Sequence, residues 1–321
     1  MTLTRLATSL VLATVVLAGC AAAIDRRAAS REAAAEAAYP ATGQFVTVGG
    51  LRIHADVRGA GPDIVLIHGA SGNLRDFTFR LAGLLARDYR VIAFDRPGLG
   101  WSDDAGVPGI SPLVQGDILR RAALELGAVR PIVLGQSYGG AVALGWALTA
   151  PEPPAALVLV SAASMPWPGR LGLWYDVAAS RFGGAAVVPL VTAFASADQI
   201  KATLTATFAP DPVPDGYGDY LGAGLTLRRA SLRTNARQVG SLRPHVTAMA
   251  AQYPKLTLPV EMVHGDADTV VPMQIHSVPL AALIPGAVLT VLPGAGHMPH
   301  HSREADVIAA IHRAAARAGL R

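Results

Sequence analysis

The chain has 321 residues, of which 51% are hydrophobic and 16% are charged, so it can form a large core and is neither a disordered chain nor a coiled coil. Its formal net charge is only +4, and its 27 Lys and Arg residues are scattered along the chain, which argues against a nucleic-acid partner. Cys20 is the single cysteine, so intramolecular disulfides and thiolate metal cages are excluded.

The amino terminus has the pattern of an export signal, because Arg5 precedes an uncharged stretch over residues 6–24. The sequence Leu17-Ala18-Gly19-Cys20 resembles the lipobox of bacterial lipoproteins, in which the cysteine is lipidated and becomes the new amino terminus. We therefore expect a signal peptide over residues 1–19 and an exported lipoprotein that Cys20 anchors to a membrane of the cell envelope. An uncleaved anchor helix and an ordinary cleaved signal share this pattern and are the alternatives.

The next segment, residues 20–41, is rich in alanine and carries charges of both signs. This composition favours a partly helical tether rather than a piece of a packed core. The fold is therefore expected to begin at residue 42.

From residue 42 onward, short β-rich runs alternate with helical patterns, which predicts an α/β fold with a mostly parallel sheet flanked by helices. A hairpin over residues 44–48 and 51–57 comes first. The predicted buried strands, each a nearly continuous apolar run, are residues 64–67, 90–94, 131–134, 156–160, 260–263 and 288–292. The predicted helices are residues 77–87, 112–126, 138–148, 274–283 and 303–318.

The strand pattern stops between residues 165 and 255, where helical sequence is broken by Pro and Gly. A segment of this length is too long for a plain connection. We expect a helical lid inserted into a core formed by residues 42–164 and 256–321.

A nucleophile motif follows the predicted strand 131–134, where Gly135-Gln136-Ser137-Tyr138-Gly139 leads into an apolar helix. The G-x-S-x-G letters alone are weak evidence, but the strand-turn-helix context is what this motif requires. The turn strains Ser137 and points its hydroxyl outward at a helix amino terminus. Since a serine hydroxyl needs a base to become a nucleophile, an imidazole and an orienting carboxylate are expected later in the chain.

Both groups are present, because Asp268 follows the predicted strand 260–263 and His297 follows the strand 288–292. With Ser137 first, this order is the one expected for an α/β-hydrolase. The chain resembles the lid-bearing α/β-hydrolases, which include esterases, carbon-carbon hydrolases, perhydrolases, haloalkane dehalogenases and epoxide hydrolases. The resemblance rests on the elbow and on His68-Gly69, the loop of residues 95–102, Gly265-Asp266-Ala267-Asp268 and Gly296-His297.

The resemblance also implies roles for individual residues. The family pattern favours Asp268 as the acid, with Asp266 as a loop carboxylate in the alternative. The two backbone donors of the oxyanion hole would be Tyr138 and Ala70, with Ser71 as the alternative to Ala70.

The aromatic residues Trp101, Trp167 and Trp174 are candidates for the border of an apolar substrate pocket. The alternative for the two tryptophans of the lid is that they pack the lid onto the core.

His300 and His301 lie close to His297, but the chain has no H-E-x-x-H signature, so we predict no metal site and expect both histidines to face solvent. The chain also lacks a G-x-x-x-x-G-K-[ST] loop and a G-x-G-x-x-G after the first strand. The sequence therefore predicts no cofactor, and it carries no signal for an oligomeric state.

The serine at the elbow disfavours dehalogenase and epoxide hydrolase chemistry, because those relatives attack with a carboxylate. The sequence predicts hydrolysis of a carboxylic ester or a related acyl compound in a small apolar acyl substrate, with Ser137 as the nucleophile, His297 as the base and Asp268 as its partner. A carbon-carbon hydrolase or a perhydrolase would use the same triad. A binding lipoprotein on a hydrolase scaffold is the alternative without catalysis.

Overall fold

The structure is a computed structural model that describes residues 3–320. An eight-stranded sheet forms its centre. The strands β1 to β8 are, in chain order, Gln44–Val48, Leu51–Arg58, Asp63–Ile67, Arg90–Phe94, Ile132–Gln136, Ala156–Val160, Val260–Gly265 and Val288–Leu292. Their order in the sheet is β1-β2-β4-β3-β5-β6-β7-β8. The strands β1 and β2 form an antiparallel hairpin, β2 pairs antiparallel with β4, and all other pairs are parallel. The predicted α/β class with a mostly parallel sheet is confirmed.

Fourteen α-helices, α1 to α14, accompany the sheet in the described residues. They are Leu3–Ala38, Arg75–Thr78, Leu81–Leu85, Pro112–Glu125, Tyr138–Thr149, Leu173–Ala179, Arg181–Phe194, Ala197–Phe208, Tyr217–Leu221, Ala223–Thr226, Arg229–Ala250, Ser277–Leu283, Pro299–Ser302 and Glu304–Arg317. The predicted helix 77–87 is split into α2 and α3, because Arg80 leaves the helical region with φ −145° and ψ −54°. The predicted helix 274–283 begins only at Ser277.

Each face of the sheet carries its own apolar core. Along β3, Val65 and Ile67 belong to one core, and Ile64 and Leu66 belong to the other, as the alternation of side chains along a strand requires. Side chains of α4, α5, α11 and α12 fill the first core, and those of α3 and α14 fill the second. The central strands β3 to β7 are therefore covered on both faces. The predicted burial of the strand 288–292 is wrong, because β8 is an edge strand on which Val288 and Val291 are exposed. The carboxyl ends of the parallel strands lie at one edge, where a site is expected.

The helices α6 to α11 lie between β6 and β7, and the described residues 161–259 contain no strand. We call this segment the helical insertion. Its 22-residue helix α11 packs against α6 and α7, with Leu232 and Ala236 in contact with Ala178 and Val188.

The long helix α1 packs against the helical insertion, although composition favoured a tether outside the fold. Ala28 is fully buried, and Arg229 pairs with Asp25 and with Glu32 of α1. The mixed charges that look like a solvated tether in the sequence thus have partners more than 190 residues away. Residues 1, 2 and 321 lie outside the described residues, so the first two positions of the predicted signal peptide are not covered.

Within the described part of the chain, no single helix combines the length and the apolar character that crossing a bilayer requires. The pair α6 and α7 reaches that threshold only when both helices are taken together, and they are bent by 106°.

Candidate active site

The turn between β5 and α5 holds Ser137 in a strained conformation, with φ 52° and ψ −119°. A Cβ atom on Gly135 would lie 2.2 Å from the carbonyl oxygen of Gly139. One on Gly139 would lie 2.1 Å from the carbonyl oxygen of Ile67. Only glycine fits at both positions, so the motif glycines are what allows the elbow to approach β3 and place Ser137 at the start of α5.

The structure brings Asp268 and His297 together, with Asp268 Oδ2 2.8 Å from His297 Nδ1. The other oxygen, Oδ1, accepts the backbone N–H groups of Val270 and Val271. Burial by itself raises the pKa of Asp268, but hydrogen bonds from His264 and His297 outweigh it and hold the pKa below its usual range. Asp268 is therefore an ionised carboxylate that orients the imidazole.

Asp266 does not reach the imidazole. Its Oδ1 accepts the backbone N–H of Gly294 at 2.7 Å, so it joins the loops that follow β7 and β8. The structure thus gives the two carboxylates of the Gly265-Asp266-Ala267-Asp268 segment different tasks, and Asp268 is the one beside His297.

A second buried histidine, His264, contacts Asp268, and no sequence motif predicts this contact. Its Nε2 lies 3.1 Å from Asp268 Oδ2 and 2.7 Å from the carbonyl oxygen of Val271, and its Nδ1 lies 2.6 Å from Ser277 Oγ. Its position in the strand directly before Gly265 was the only sequence signal.

Ser137 and His297 line one cavity, and the described hydrogen bonds include none that joins them directly. Instead, Gln136 Nε2 lies 3.3 Å from His297 Nε2. Because the Nδ1–H group of His297 donates a hydrogen bond to Asp268, its Nε2 carries a lone pair, which faces Gln136. This is the imidazole tautomer that a general base needs. Gln136 occupies one of the two variable positions of the elbow motif, so the motif itself indicates no role for it.

The loop after β3 contains Ala70 and Ser71, the two alternatives for the second oxyanion donor. The backbone N–H of Ser71 donates to Asn235 Oδ1 at 2.8 Å, so it is already engaged. Ala70, whose N–H was the first prediction, lines the same cavity as Ser137. Tyr138 is the first residue of α5, where a backbone N–H has no partner within the helix.

Arg96 links the two segments that carry these donors. Its Nε and Nη2 donate to the carbonyl oxygens of His68 and Gly69, both at 3.0 Å, and its guanidinium carbon lies 4.3 Å from the centroid of the Tyr138 ring. Burial lowers the pKa of Arg96 to about 10, so the side chain is still a cation at neutral pH. In the sequence the loop of residues 95–102 was only part of a family pattern.

His68, as a neutral imidazole, also links the loop after β3 to Arg96. Its Nδ1 donates to the carbonyl oxygen of Gly69 at 2.9 Å, and its Nε2 accepts the backbone N–H of Arg96 at 3.0 Å. Burial lowers the pKa of His68 to about 4, which keeps Nε2 available as an acceptor.

A cavity of about 830 Å³ opens above the elbow between the core and the insertion. Trp174 lines it, together with Leu190, Val191 and Phe194 of α7. Among its described lining residues there is no Lys or Arg, and Asp76 is the one acid. The chamber is suited to an uncharged, apolar group.

The other two predicted pocket tryptophans do not line this cavity. Trp101 Nε1 donates to the carbonyl oxygen of Tyr39, next to the end of α1. The ring of Trp167 packs against His276, at 6.0 Å between centroids. Trp167 thus packs the insertion onto the core, as the alternative interpretation expected.

His300 and His301 are buried, so the expectation that they face solvent is wrong. His300 Nε2 lies 3.1 Å from Asp76 Oδ2, and His301 Nε2 lies 2.7 Å from Asp76 Oδ1, which also accepts the Tyr217 hydroxyl at 2.7 Å. Asp76 lies 224 residues before His300, a separation that no sequence pattern bridges. We call these four residues the Asp76 cluster.

The positions of three ligand atoms in the Asp76 cluster would suit a metal ion, but the surroundings of the imidazoles do not. Both Nδ1 atoms are buried without a hydrogen-bond partner. A metal on Nε2 would put a proton on each Nδ1 and leave two buried donors unpaired. With Nε2–H groups donating to Asp76, the Nδ1 atoms are only bare lone pairs. Burial lowers the pKa of His300 to about 4, which agrees with a neutral ring.

The profile of the alpha/beta hydrolase family matches residues 64–311. The chain belongs to this family. A solved structure, an alpha/beta hydrolase fold protein from Burkholderia ambifaria, has a TM-score of 0.71 and 27% identity, and the match covers 84% of this chain and 97% of the other.

Curated relatives of this chain have several activities in their names. The magnesium-chelatase 30 kDa subunit of Rhodobacter capsulatus is 32% identical over 75% of this chain and 82% of its own length. The pimeloyl-[acyl-carrier protein] methyl ester esterase of Aliivibrio salmonicida is 27% identical over 81% and 95%. A 2-hydroxy-6-oxononadienedioate/2-hydroxy-6-oxononatrienedioate hydrolase of Cupriavidus pinatubonensis is 26% identical over 80% and 89%. This alpha/beta hydrolase thus has both an ester hydrolase and a dioate hydrolase among its relatives.

Proposed function

We propose that this alpha/beta hydrolase cleaves the carboxylic ester of an apolar acyl substrate, through an acyl-enzyme on Ser137. The observation that carries the proposal is the 2.8 Å hydrogen bond between Asp268 and His297 beside a cavity that Ser137 also lines. A serine at a strained elbow, an imidazole in the basic tautomer and an ionised carboxylate are the parts that acyl transfer requires.

In the first half of the reaction, Ser137 Oγ attacks the ester carbonyl carbon while His297 Nε2 takes the hydroxyl proton. The backbone N–H groups of Tyr138 and Ala70 stabilise the negative oxygen of the tetrahedral intermediate. Its collapse breaks the bond to the alkoxy group, which leaves as the alcohol with the proton from His297. Water then repeats the sequence on the acyl-enzyme and releases the acid.

For this step Nε2 of His297 exchanges the Gln136 amide for the Ser137 hydroxyl. The contact to Gln136, at 3.3 Å, is longer than a strong hydrogen bond and is readily given up. Catalytic contacts of this kind commonly tighten only when substrate is bound.

The composition of the cavity favours an ester over the dioate substrates in the name of the Cupriavidus relative. A dianion needs cationic groups in its pocket, and the described lining contains none. A perhydrolase would use the same residues with peroxide in place of water, and the two are separated by adding peroxide to the ester assay.

The decisive experiment is labelling with a fluorophosphonate together with turnover of p-nitrophenyl esters of increasing acyl length. We expect labelling at Ser137, and its loss along with turnover in Ser137→Ala, whereas the Ser241→Ala control on α11 retains both. Folded protein that neither labels nor cleaves any ester would favour the binding lipoprotein instead.

We also propose that lipid on Cys20 anchors the chain to a membrane of the cell envelope. Cys20 is exposed on α1, so a lipidating enzyme has access to it. If the lipid is the anchor, Cys20→Ser moves the protein from the membrane fraction to the soluble fraction. Retention of the variant would favour an uncleaved anchor helix.

A further inference from the structure

Exposed large apolar side chains are concentrated in two segments. Of the eighteen in the described residues, five lie in residues 11–17 of α1 and five in α6 and α7. Phe182 is 86% exposed and Leu173 is 79% exposed. The five in the insertion are Leu173, Val177, Phe182, Leu190 and Phe194, and we call them the insertion patch. Concentrated apolar exposure of this kind marks an interaction surface.

The insertion patch is almost free of charge. Between residues 173 and 194, which span the patch, Asp176 and Arg181 are the two charged residues in the sequence, and Asp176 pairs with Arg170. A surface with large apolar side chains and few charges suits the boundary between lipid head groups and acyl chains.

Helix α1 is attached to the end of α7. Arg27 Nε donates to the carbonyl oxygen of Ala193 at 2.8 Å, and its guanidinium carbon lies 5.1 Å from the centroid of the Phe194 ring. Arg31 Nη1 donates to the same carbonyl oxygen at 3.2 Å. Two cations at the carboxyl end of α7 complement its dipole and fix the relative position of the two helices.

This attachment sets the distance between the predicted anchor and the insertion patch. Cys20 precedes Arg27 by seven residues of one continuous helix, which at about 1.5 Å per residue is about 10 Å. Cys20, at which the proposed mature chain begins, therefore lies about two helical turns from Arg27, which contacts Phe194 of the insertion patch.

The insertion patch also continues into the cavity. Leu190 and Phe194 are exposed on the surface and also line the chamber that contains Ser137. An apolar path thus leads from the exposed face of α7 towards the elbow.

We propose that the insertion patch docks on the surface of a phospholipid bilayer and that the cavity takes its substrate from the lipid layer. The docking follows from the patch and its attachment to α1, and the entry of an ester rests on the proposed function. A bilayer is the occupant because lipid on Cys20, as proposed above, would hold a membrane about 10 Å along α1 from Arg27, which contacts Phe194 of the patch.

Docking is tested with the full-length chain in phospholipid vesicles that contain brominated lipids, which quench nearby tryptophan fluorescence. We expect the emission added by Phe182→Trp, and by Leu173→Trp, to be quenched. The emission added by Val129→Trp, an exposed apolar position before β5, stays unquenched as the control. Equal quenching at positions 182 and 129 overturns the proposal, as does a dimer that Phe182→Asp dissociates.

Substrate entry is tested with two esters, one embedded in the vesicles and one soluble in water. Because Phe182 does not line the cavity, Phe182→Asp leaves turnover of the soluble ester unchanged. It lowers turnover of the embedded ester about tenfold, since one large apolar side chain no longer contacts lipid, and Val129→Asp changes neither. An equal effect on both esters overturns entry from the lipid. Failure of the hydrolase proposal is recognised separately, because the quenching experiment requires no turnover.

Discussion

The guanidinium of Arg96 lies 4.3 Å from the ring of Tyr138, while two of its nitrogens hold the carbonyl oxygens of His68 and Gly69. One buried side chain thus connects the residue after Ser137 to the loop that carries Ala70. The spacing of the two proposed oxyanion donors therefore depends on a residue that is not itself in the cavity lining.

Replacing Arg96 with lysine tests this dependence. Lysine retains the charge but lacks the planar fork that bonds both carbonyl oxygens. We expect kcat for a short ester to fall about tenfold to a hundredfold with little change in KM, because misplaced donors act only on the transition state. Arg120→Lys, at a surface pair with Asp117, is the control. An unchanged kcat in a variant with normal thermal stability would contradict the role.

The elbow glycines predict a sharp difference between two alanine substitutions. In Gly139→Ala the new Cβ would lie 2.1 Å from the carbonyl oxygen of Ile67, so we expect a loss of about 3 kcal/mol or more of unfolding free energy, or no folded protein. A Cβ atom on Gly240, inside α11, would have no neighbouring group within 4 Å, so Gly240→Ala is expected to stabilise by about 0.5 to 1 kcal/mol. Urea unfolding measures both changes, and equal values would refute the argument.

The Asp76 cluster predicts a loss of stability that metal does not restore. In Asp76→Asn, two buried imidazoles and the Tyr217 hydroxyl lose an ionised acceptor, which we expect to cost about 2 to 4 kcal/mol. Asp117→Asn at the surface is the control and changes stability by less than about 1 kcal/mol. Elemental analysis and unfolding with zinc or EDTA complete the test. Stoichiometric metal, or a large stabilisation by zinc, would mean that the cluster is a metal site.

His276 predicts a pH dependence of stability. Its Nδ1 lies 3.2 Å from the backbone N of Ser164 and 3.1 Å from that of Met165, and burial followed by the charge of His264 lowers its pKa to about 4. Between pH of about 6.5 and 4 the unfolded chain binds a proton that the folded chain does not, so stability falls as the pH falls through this window.

The variant His276→Asn retains an acceptor without a titrating ring. Since His68 and His300 contribute in the same direction, the variant is expected to show a smaller decrease in unfolding free energy from pH of about 6.5 to 4.5, not a flat profile. Urea unfolding at several pH values measures the slope, and an identical slope in both proteins would refute the assignment.

Local sequence patterns were enough to predict the sheet and the elbow. Each buried strand is a short apolar run, and the glycines around Ser137 are required by contacts with the nearest strand and helix, so both signals are local. The order of Ser137, Asp268 and His297 could be proposed for the same reason, because each follows its own strand.

Packing between distant parts of the chain determined which side chains meet. The Asp76 cluster joins residues 224 positions apart, and α1 pairs with Arg229 across about two thirds of the chain. The contact of Arg96 with Tyr138 and the separation of Trp101 from the cavity are likewise products of packing. A charge or an imidazole has the same local sequence pattern whether it faces water or a distant partner, and burial against that partner determines its protonation and its task.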